Sequence, residues 1–234
     1  MQLVIFDVDG TLTRSTHIDA VCFLRAVHEV FGMTAVGDDW SQYTHCTDSG
    51  ISAEIFHKQF GRAPSDSELA GLRERFVALL EAAVVDTPDC CSEIPGARAV
   101  LRRLQRLTDW RVAIATGSWK ASALVKLGAA GFAIAGIPMA TADDGVARET
   151  ILQCALTRAL ESYRETHFSR VVSVGDALWD VRSAARLQLP FIGVGGARAA
   201  ELLREHGASV VLDDFVNFDH LCDVLRDAGI PDKA

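Results

Sequence analysis

This chain has no run of lysine and arginine and no apolar stretch that approaches the length of a membrane span. The first absence, with a formal net charge of -8, excludes a general nucleic-acid or acidic-lipid surface, because phosphate backbones and anionic headgroups attract basic patches. Only a local positive pocket stays open. The second absence leaves no transmembrane helix to place. No basic leader with a small-residue cleavage site precedes the apolar run that starts at residue 2, so the expected location is cytoplasmic. Cys22, Cys46, Cys90, Cys91, Cys154 and Cys222 show neither paired CxxC spacing nor a Cys/His ligand rhythm, which points to reduced thiols and away from zinc. What the chain does have is bulk. Its 234 residues, 49% hydrophobic and 23% charged, suffice for one large domain or a domain carrying an insert.

Three short apolar runs each end in a polar turn: Leu3 to Phe6 before Asp7-Val8-Asp9-Gly10-Thr11, Val112 to Ala115 before Thr116-Gly117-Ser118, and Val171 to Val174 before Gly175-Asp176. Nearly uninterrupted apolar runs of this length are what strands covered on both faces look like, and such strands build parallel sheets. From Pro95-Gly96 onward they alternate with helical patterns: helix about 97 to 107, strand at Val112, helix about 119 to 127, strand near Ile134 to Met139, helix from about 149. Strands at Val171, Phe191 and Val210 and a last helix from about 215 follow. Right-handed βαβ crossovers place such a series in one parallel sheet flanked by helices. Between the first strand and this series, residues 15 to 87 carry helical spacing and no strand signal. His17 to Phe31, the segment with Ile51, Ile55, Phe56 and Phe60, and the stretch opened by Pro64-Ser65 read as an all-helical insert.

Ligands of open α/β sheets sit beyond the carboxyl ends of the strands, so Asp7, Asp9, Thr116 and Asp176 are expected to meet. Asp7 and Asp9, two apart at a strand end, would share a face if the strand geometry persisted, and Asp180 follows Asp176 by one helical turn. Carboxylates this crowded need a counter-charge. With oxygen ligands alone and no His or Cys among them, the cation of choice is Mg²⁺, which keeps waters and accepts a phosphate oxygen. Taken singly, each pair has a plainer reading: a turn whose carboxylates bond local N–H groups for Asp7 and Asp9, a helix start for Asp176 and Asp180.

Through Asp7-Val8-Asp9-Gly10-Thr11-Leu12-Thr13, Thr116 and Gly175-Asp176-Ala177-Leu178-Trp179-Asp180, the sequence resembles the haloacid dehalogenase-like hydrolase superfamily, nearest to its phosphoglycolate-phosphatase-like branch. The resemblance implies an α/β fold: a Rossmann-like parallel-sheet core, residues 1–14 and 91–234, with an inserted all-helical cap domain, residues 15–90. It implies Asp7 as the nucleophile that forms an aspartyl-phosphate and Asp9 as general acid and then base. Asp7, Asp9 (through its carbonyl) and Asp176 would hold the metal, with Asp180 behind them, and Thr116, Gly117 and Ser118 would hold phosphate oxygens. The family places a Lys, less often an Arg, between the second and last motifs; no Lys is expected to fill that place in this chain, and Arg148, in Ala142-Asp143-Asp144-Gly145-Val146-Ala147-Arg148-Glu149, is assigned that catalytic and phosphate-binding part, although it could instead be a surface Arg paired with Glu149 or Asp144. Arg164 and Arg170 fit the position less well.

The turn Tyr43-Thr44-His45-Cys46-Thr47-Asp48 resembles the cap segment that faces the site, which makes Thr44, His45 and Thr47 candidate substrate contacts; Asp48 or Ser49 could equally be a plain helix N-cap. The expected enzyme is a phosphoric monoester hydrolase acting on a small phosphorylated metabolite, as a monomer or homodimer, without nucleic-acid or membrane partners. A phosphomutase on the same core is the first alternative. A phosphonatase would need a cap amine, for which Lys58 is available, and a haloacid dehalogenase would have no use for Asp9 and a metal. A non-catalytic cation binder would not need every acidic group to be retained.

Overall fold

A computed structural model describes residues 1–232. Six strands, β1 (Gln2–Phe6), β2 (Trp110–Ala115), β3 (Met139–Ala140), β4 (Arg170–Gly175), β5 (Phe191–Val194) and β6 (Val211–Leu212), form one sheet in the order β3-β2-β1-β4-β5-β6. Every pairing is parallel. The apolar runs are therefore what they look like, strands buried on both faces. Leu3, Ile5, Ala113 and Ala115 pack on one side, and Val4, Phe6, Val112 and Ile114 on the other, as the two-residue period of a strand requires. The first side is covered by α6 (Arg148–Tyr163) through Ile151, Leu152, Ala155 and Ala159. The second is covered by α4 (Ala97–Leu104) and α9 (Phe218–Asp227). The chain builds outward from β1 in both directions, so the sheet changes winding direction at β1 and β4, which is where a crevice opens above the strand ends.

Three helices lie between β1 and α4: α1 (Thr16–Phe31), α2 (Asp48–Phe60) and α3 (Asp66–Asp86). Gly32 and Gly61, each at φ 68°, end the first two in the left-handed conformation that glycine adopts without a Cβ penalty. A capping box between Ser65 and Glu68 opens the third. Their inner faces form a cluster of their own, with Phe23 edge-on to Phe76 at 5.6 Å between ring centroids. Trp119, which immediately precedes α5 (Lys120–Ala129) of the core, enters that cluster and stitches the two parts together. The fold is a Rossmann-like parallel-sheet core with an inserted helical cap. Among the described residues no helix is long and apolar enough to cross a membrane.

Besides α4, which ends at Leu104 and not near 107, two boundaries differ from the sequence reading for a visible reason. The strand expected near Ile134 to Met139 is only Met139–Ala140, because Ile134 and Ile137 close a turn (Ile137 N donates to Ile134 O at 3.0 Å) and Pro138 has no N–H for a ladder. The last helix begins at Phe218 and not near 215. Asn217 caps it, and Phe215 packs against Phe6 at 5.9 Å instead.

Candidate active site

The carboxyl ends of β1, β2 and β4 lie side by side, since Phe6 is in register with Ile114 and Val174. The ladder runs one bond further, Asp7 N donating to Val174 O at 3.0 Å, and the Asp7 side chain lines a small cavity with Arg148 and Asp180, beside the larger one bordered by Asp9, Thr116 and Asp176. There Asp7, Asp176 and Asp180 each present an oxygen within 4.8 Å of the others. Two glycines permit this packing. Gly10 turns at φ +78°, and a Cβ on it would stand 1.9 Å from Asp176 Oδ2; a Cβ on Gly175 would stand 2.5 Å from Asp180 Cβ. The chain closes so tightly around these carboxylates that a larger residue at either position would force one of them to move. Asp180 also reaches back with Oδ2 to accept from Ala177 N at 3.1 Å, which fixes it on the first turn of α7 (Leu178–Arg186).

Arg148, the first residue of α6, answers part of this negative charge. Its Nη1 donates to Asp7 Oδ1 at 2.9 Å and lies 3.5 Å from Asp180 Oδ1, while Nε donates to Cys46 O at 3.3 Å. It is not the surface Arg paired with Glu149 or Asp144: those acids bind Arg186 and Arg158. One guanidinium among three carboxylates leaves a deficit of positive charge. Burial first, then the charges of Asp180 and Asp9, push Asp7 up to about 7 in spite of Arg148. Burial and the neighbouring Asp180 and Asp7 charges hold Asp176 well above the usual carboxylate range. Three crowded, hard oxygen donors with raised proton affinity fit a small divalent cation such as Mg²⁺.

Asp9 turns elsewhere. The strand ends at Phe6, so Asp7 and Asp9 do not share a face. Asp9 Oδ2 accepts from Lys126 Nζ at 2.6 Å and from Ser118 Oγ at 2.9 Å, and Oδ1 accepts from Ser15 Oγ at 2.5 Å. Burial pushes this carboxyl upward too, but the Lys126 ammonium and the three donated hydrogen bonds outweigh it and hold Asp9 below its ordinary value. Thr116, Gly117 and Ser118 line the same cavity as Asp9, Asp176 and Arg148. Thr116 Oγ1 accepts from Ser118 N at 3.2 Å.

The haloacid dehalogenase-like hydrolase family matches residues 1–188. The chain belongs to that family. No curated protein matches its sequence. Solved structures do match in fold. A hydrolase from Pseudomonas syringae shares 20% identity at a TM-score of 0.70, covering 96% of this chain and 99% of that one. CbbY from Rhodobacter sphaeroides, in complex with phosphate, shares 21% at 0.67, covering 92% and 95%. A family IA, variant 3 hydrolase from Entamoeba histolytica shares 17% at 0.67, covering 97% and 100%.

In this haloacid dehalogenase-like hydrolase the helical cap meets the core along residues 46–49. Asp48 N donates to Gly117 O at 2.8 Å, Trp119 N donates to Asp48 Oδ2 at 2.8 Å, and Ser49 Oγ donates to Ala142 O at 2.7 Å. The N-cap of α2 is Thr47 and neither Asp48 nor Ser49: Thr47 Oγ1 accepts from Gly50 N at 3.0 Å and donates to Val146 O at 2.7 Å. Thr47 thus borders the cavity with its hydroxyl already engaged. Thr44 and His45 do not border it; they line a neighbouring groove with Arg182 and Arg186. The cap side chains that do reach the cavity include Asp19, Phe23, Trp40 and Asp48.

The sequence reading passes over Lys126, although it too lies between the second and last motifs. It is wholly buried and holds Asp9 and Asp19 together. Against burial, which favours the neutral amine, the charges of Asp19, Asp9 and Asp48 keep it protonated. The one signal for it was a lysine inside the apolar stretch Leu124-Val125-Lys126-Leu127, since lysine is almost never fully buried without a partner.

Proposed function

We propose that this protein is a Mg²⁺-dependent phosphatase that hydrolyses a small phosphorylated metabolite through a phosphoryl group carried on Asp7. One observation carries the reading: the Asp7 carboxylate stands just past the end of β1 with Oδ1 held by Arg148 at 2.9 Å, among the Asp176 and Asp180 carboxylates. Oδ2, which has only a long 3.5 Å contact from Thr11 Oγ1, is the oxygen free to attack phosphorus. Arg148 orients the nucleophile and, with its charge, draws in the phosphate dianion.

Asp7 Oδ2 forms a bond to phosphorus as the bond to the leaving oxygen breaks, and Asp9, ionised at rest beside Lys126, takes a proton from solvent and passes it to that oxygen. Asp9 then removes a proton from water, the water oxygen bonds to phosphorus, and the Asp7–phosphorus bond breaks to release phosphate. Thr116, Gly117 and Ser118 border the space for the phosphate oxygens, next to the start of α5. Asp7, Asp176 and the Asp9 carbonyl would hold the cation, with Asp180 beside them; bound there, it neutralises the crowded carboxylates and the phosphate. The cap, taken as residues 15–90, would exclude bulk water from the aspartyl-phosphate and select the leaving group. CbbY, crystallised with phosphate and with xylulose-(1,5)bisphosphate, supports a phosphorylated small molecule as substrate.

The test is phosphate release from an aryl phosphate with and without Mg²⁺. The wild type should release phosphate only with the cation, and Asp7→Asn should release none while remaining folded. Undiminished release by Asp7→Asn would refute the nucleophile. Isomer formation from a sugar phosphate without net release of phosphate would favour a phosphomutase.

A further inference from the structure

Lys126 has no part in the steps above, yet its charge is wholly buried and fully paired. Its side chain is 0% exposed, and Nζ donates to Asp9 Oδ2 at 2.6 Å, Asp19 Oδ1 at 2.5 Å and Ser118 Oγ at 2.7 Å. All three ammonium protons are thereby used. Asp9 and Ser118 belong to the core, whereas Asp19 stands in the first turn of α1, in the cap. Ser118 passes the contact on by donating to Asp9 Oδ2 at 2.9 Å. A leucine or methionine would fill the inner face of α5 at lower cost than a buried ammonium, so packing alone does not account for a lysine here.

We propose that Lys126 is a positioning residue: it fixes the Asp9 carboxylate for proton transfer and, through Asp19, makes that position depend on α1 being docked on the core. This rests on the reading of Asp9 as proton donor and acceptor. Proton transfer in the transition state needs donor and acceptor within hydrogen-bond reach, and a carboxylate loosened by a fraction of an ångström loses that reach. Were α1 to lift, the ammonium would give up one of its two carboxylates, and the other is Asp9.

The experiment compares kcat/KM for phenyl phosphate and 4-nitrophenyl phosphate, esters of similar shape whose leaving oxygens differ in basicity. The phenoxide needs a proton as it departs, and the nitrophenoxide hardly does. Asp9→Asn should therefore fall much further on phenyl phosphate, and Lys126→Met should repeat that selectivity at roughly 10- to 100-fold on phenyl phosphate and less than about 3-fold on the nitro ester. In an Asp9→Asn background, Lys126→Met should change neither value by more than about 2-fold, because a residue acting through Asp9 has nothing left to position. An equal fall on both esters, or a full additional loss in the Asp9→Asn background, overturns the proposal and leaves Lys126 a structural strut. Absence of selectivity in Asp9→Asn itself removes the acid role of Asp9 and this proposal with it, while Asp7→Asn would still test the nucleophile. If Lys126→Met does not fold, Asp19→Asn reads the same device: a selective fall of roughly 3- to 10-fold supports it and a uniform fall overturns it.

Discussion

Asp7 and Asp9 stand two residues apart and are both buried, yet their surroundings drive them in opposite directions. Asp7 shares one guanidinium with Asp176 and Asp180 and is pushed up to about 7, whereas Asp9 has an ammonium and two hydroxyl donors around it and is held below its ordinary value. Burial acts upward on both, so the difference lies in the supply of positive charge. One pocket is left short of a cation and the other is filled by Lys126. The contrast separates a place for an added metal from a place where a carboxylate is kept ready without one.

The largest expected effect comes from removing the charge-deficient partner. Asp7→Asn should lower phosphate release by roughly 10⁴-fold or more, as loss of a nucleophile does elsewhere, with the far-ultraviolet circular dichroism spectrum unchanged. Retained turnover would erase the distinction between the two carboxylates. Asp9→Asn should follow with a fall of roughly 10²- to 10⁴-fold, the usual range for a general acid and base, measured as steady-state phosphate release. A drop smaller than about 10-fold would mean that the lysine-held carboxylate is scaffolding.

The comparison also predicts a pH effect on stability. The folded value of Asp7 is raised from 3.8 to about 7, so its contribution is fully present below about pH 4 and is lost as pH rises through about 7. Asp176 shifts in the same direction. Thermal unfolding in the presence of chelator should therefore show a midpoint that falls between pH 5 and pH 8 from these groups, and the rise on adding Mg²⁺ should be larger at pH 8. An equal Mg²⁺ effect at both values would mean that the cation does not bind among these carboxylates. Gly10→Ala should weaken the Mg²⁺ midpoint in the same assay, since its Cβ would collide with Asp176 Oδ2. The smallest expected effect is at the cap: Thr44→Ala and His45→Ala line the outer groove and should change kcat/KM by less than about 3-fold. A large loss in either would show that the substrate extends into that groove.

The legible part of this molecule is its strand ends. Leu3 to Phe6, Val112 to Ala115 and Val172 to Val174 are buried, and a strand covered on both faces leaves a nearly uninterrupted apolar run that identifies both the strand and the turn after it. The three carboxylates Asp7, Asp176 and Asp180 do come within reach of one another, while Thr116 lines a cavity with Asp9, Arg148 and Asp176. β3 was misplaced because Ile134 and Ile137 are apolar for packing in a turn and not in a strand, and Pro138 sets the boundary. The direction of Asp9 was illegible, since it follows from where β1 stops. Lys126 was illegible for a related reason: a lysine on a helix is ordinarily solvated, and its partners Asp9 and Asp19 are 117 and 107 residues away in sequence. Thr44 and His45 fall in the neighbouring groove and not in the cavity, because one residue of register in the turn decides between the two, with Cys46 bordering both.

The account depends most on a covalent bond between Asp7 and phosphorus, and that bond can be sought directly. Enzyme mixed with Mg²⁺ and radiolabelled aryl phosphate, quenched in acid within a single turnover and digested, should yield label on the peptide containing Asp7 and none in Asp7→Asn. Label on any other residue would contradict the account.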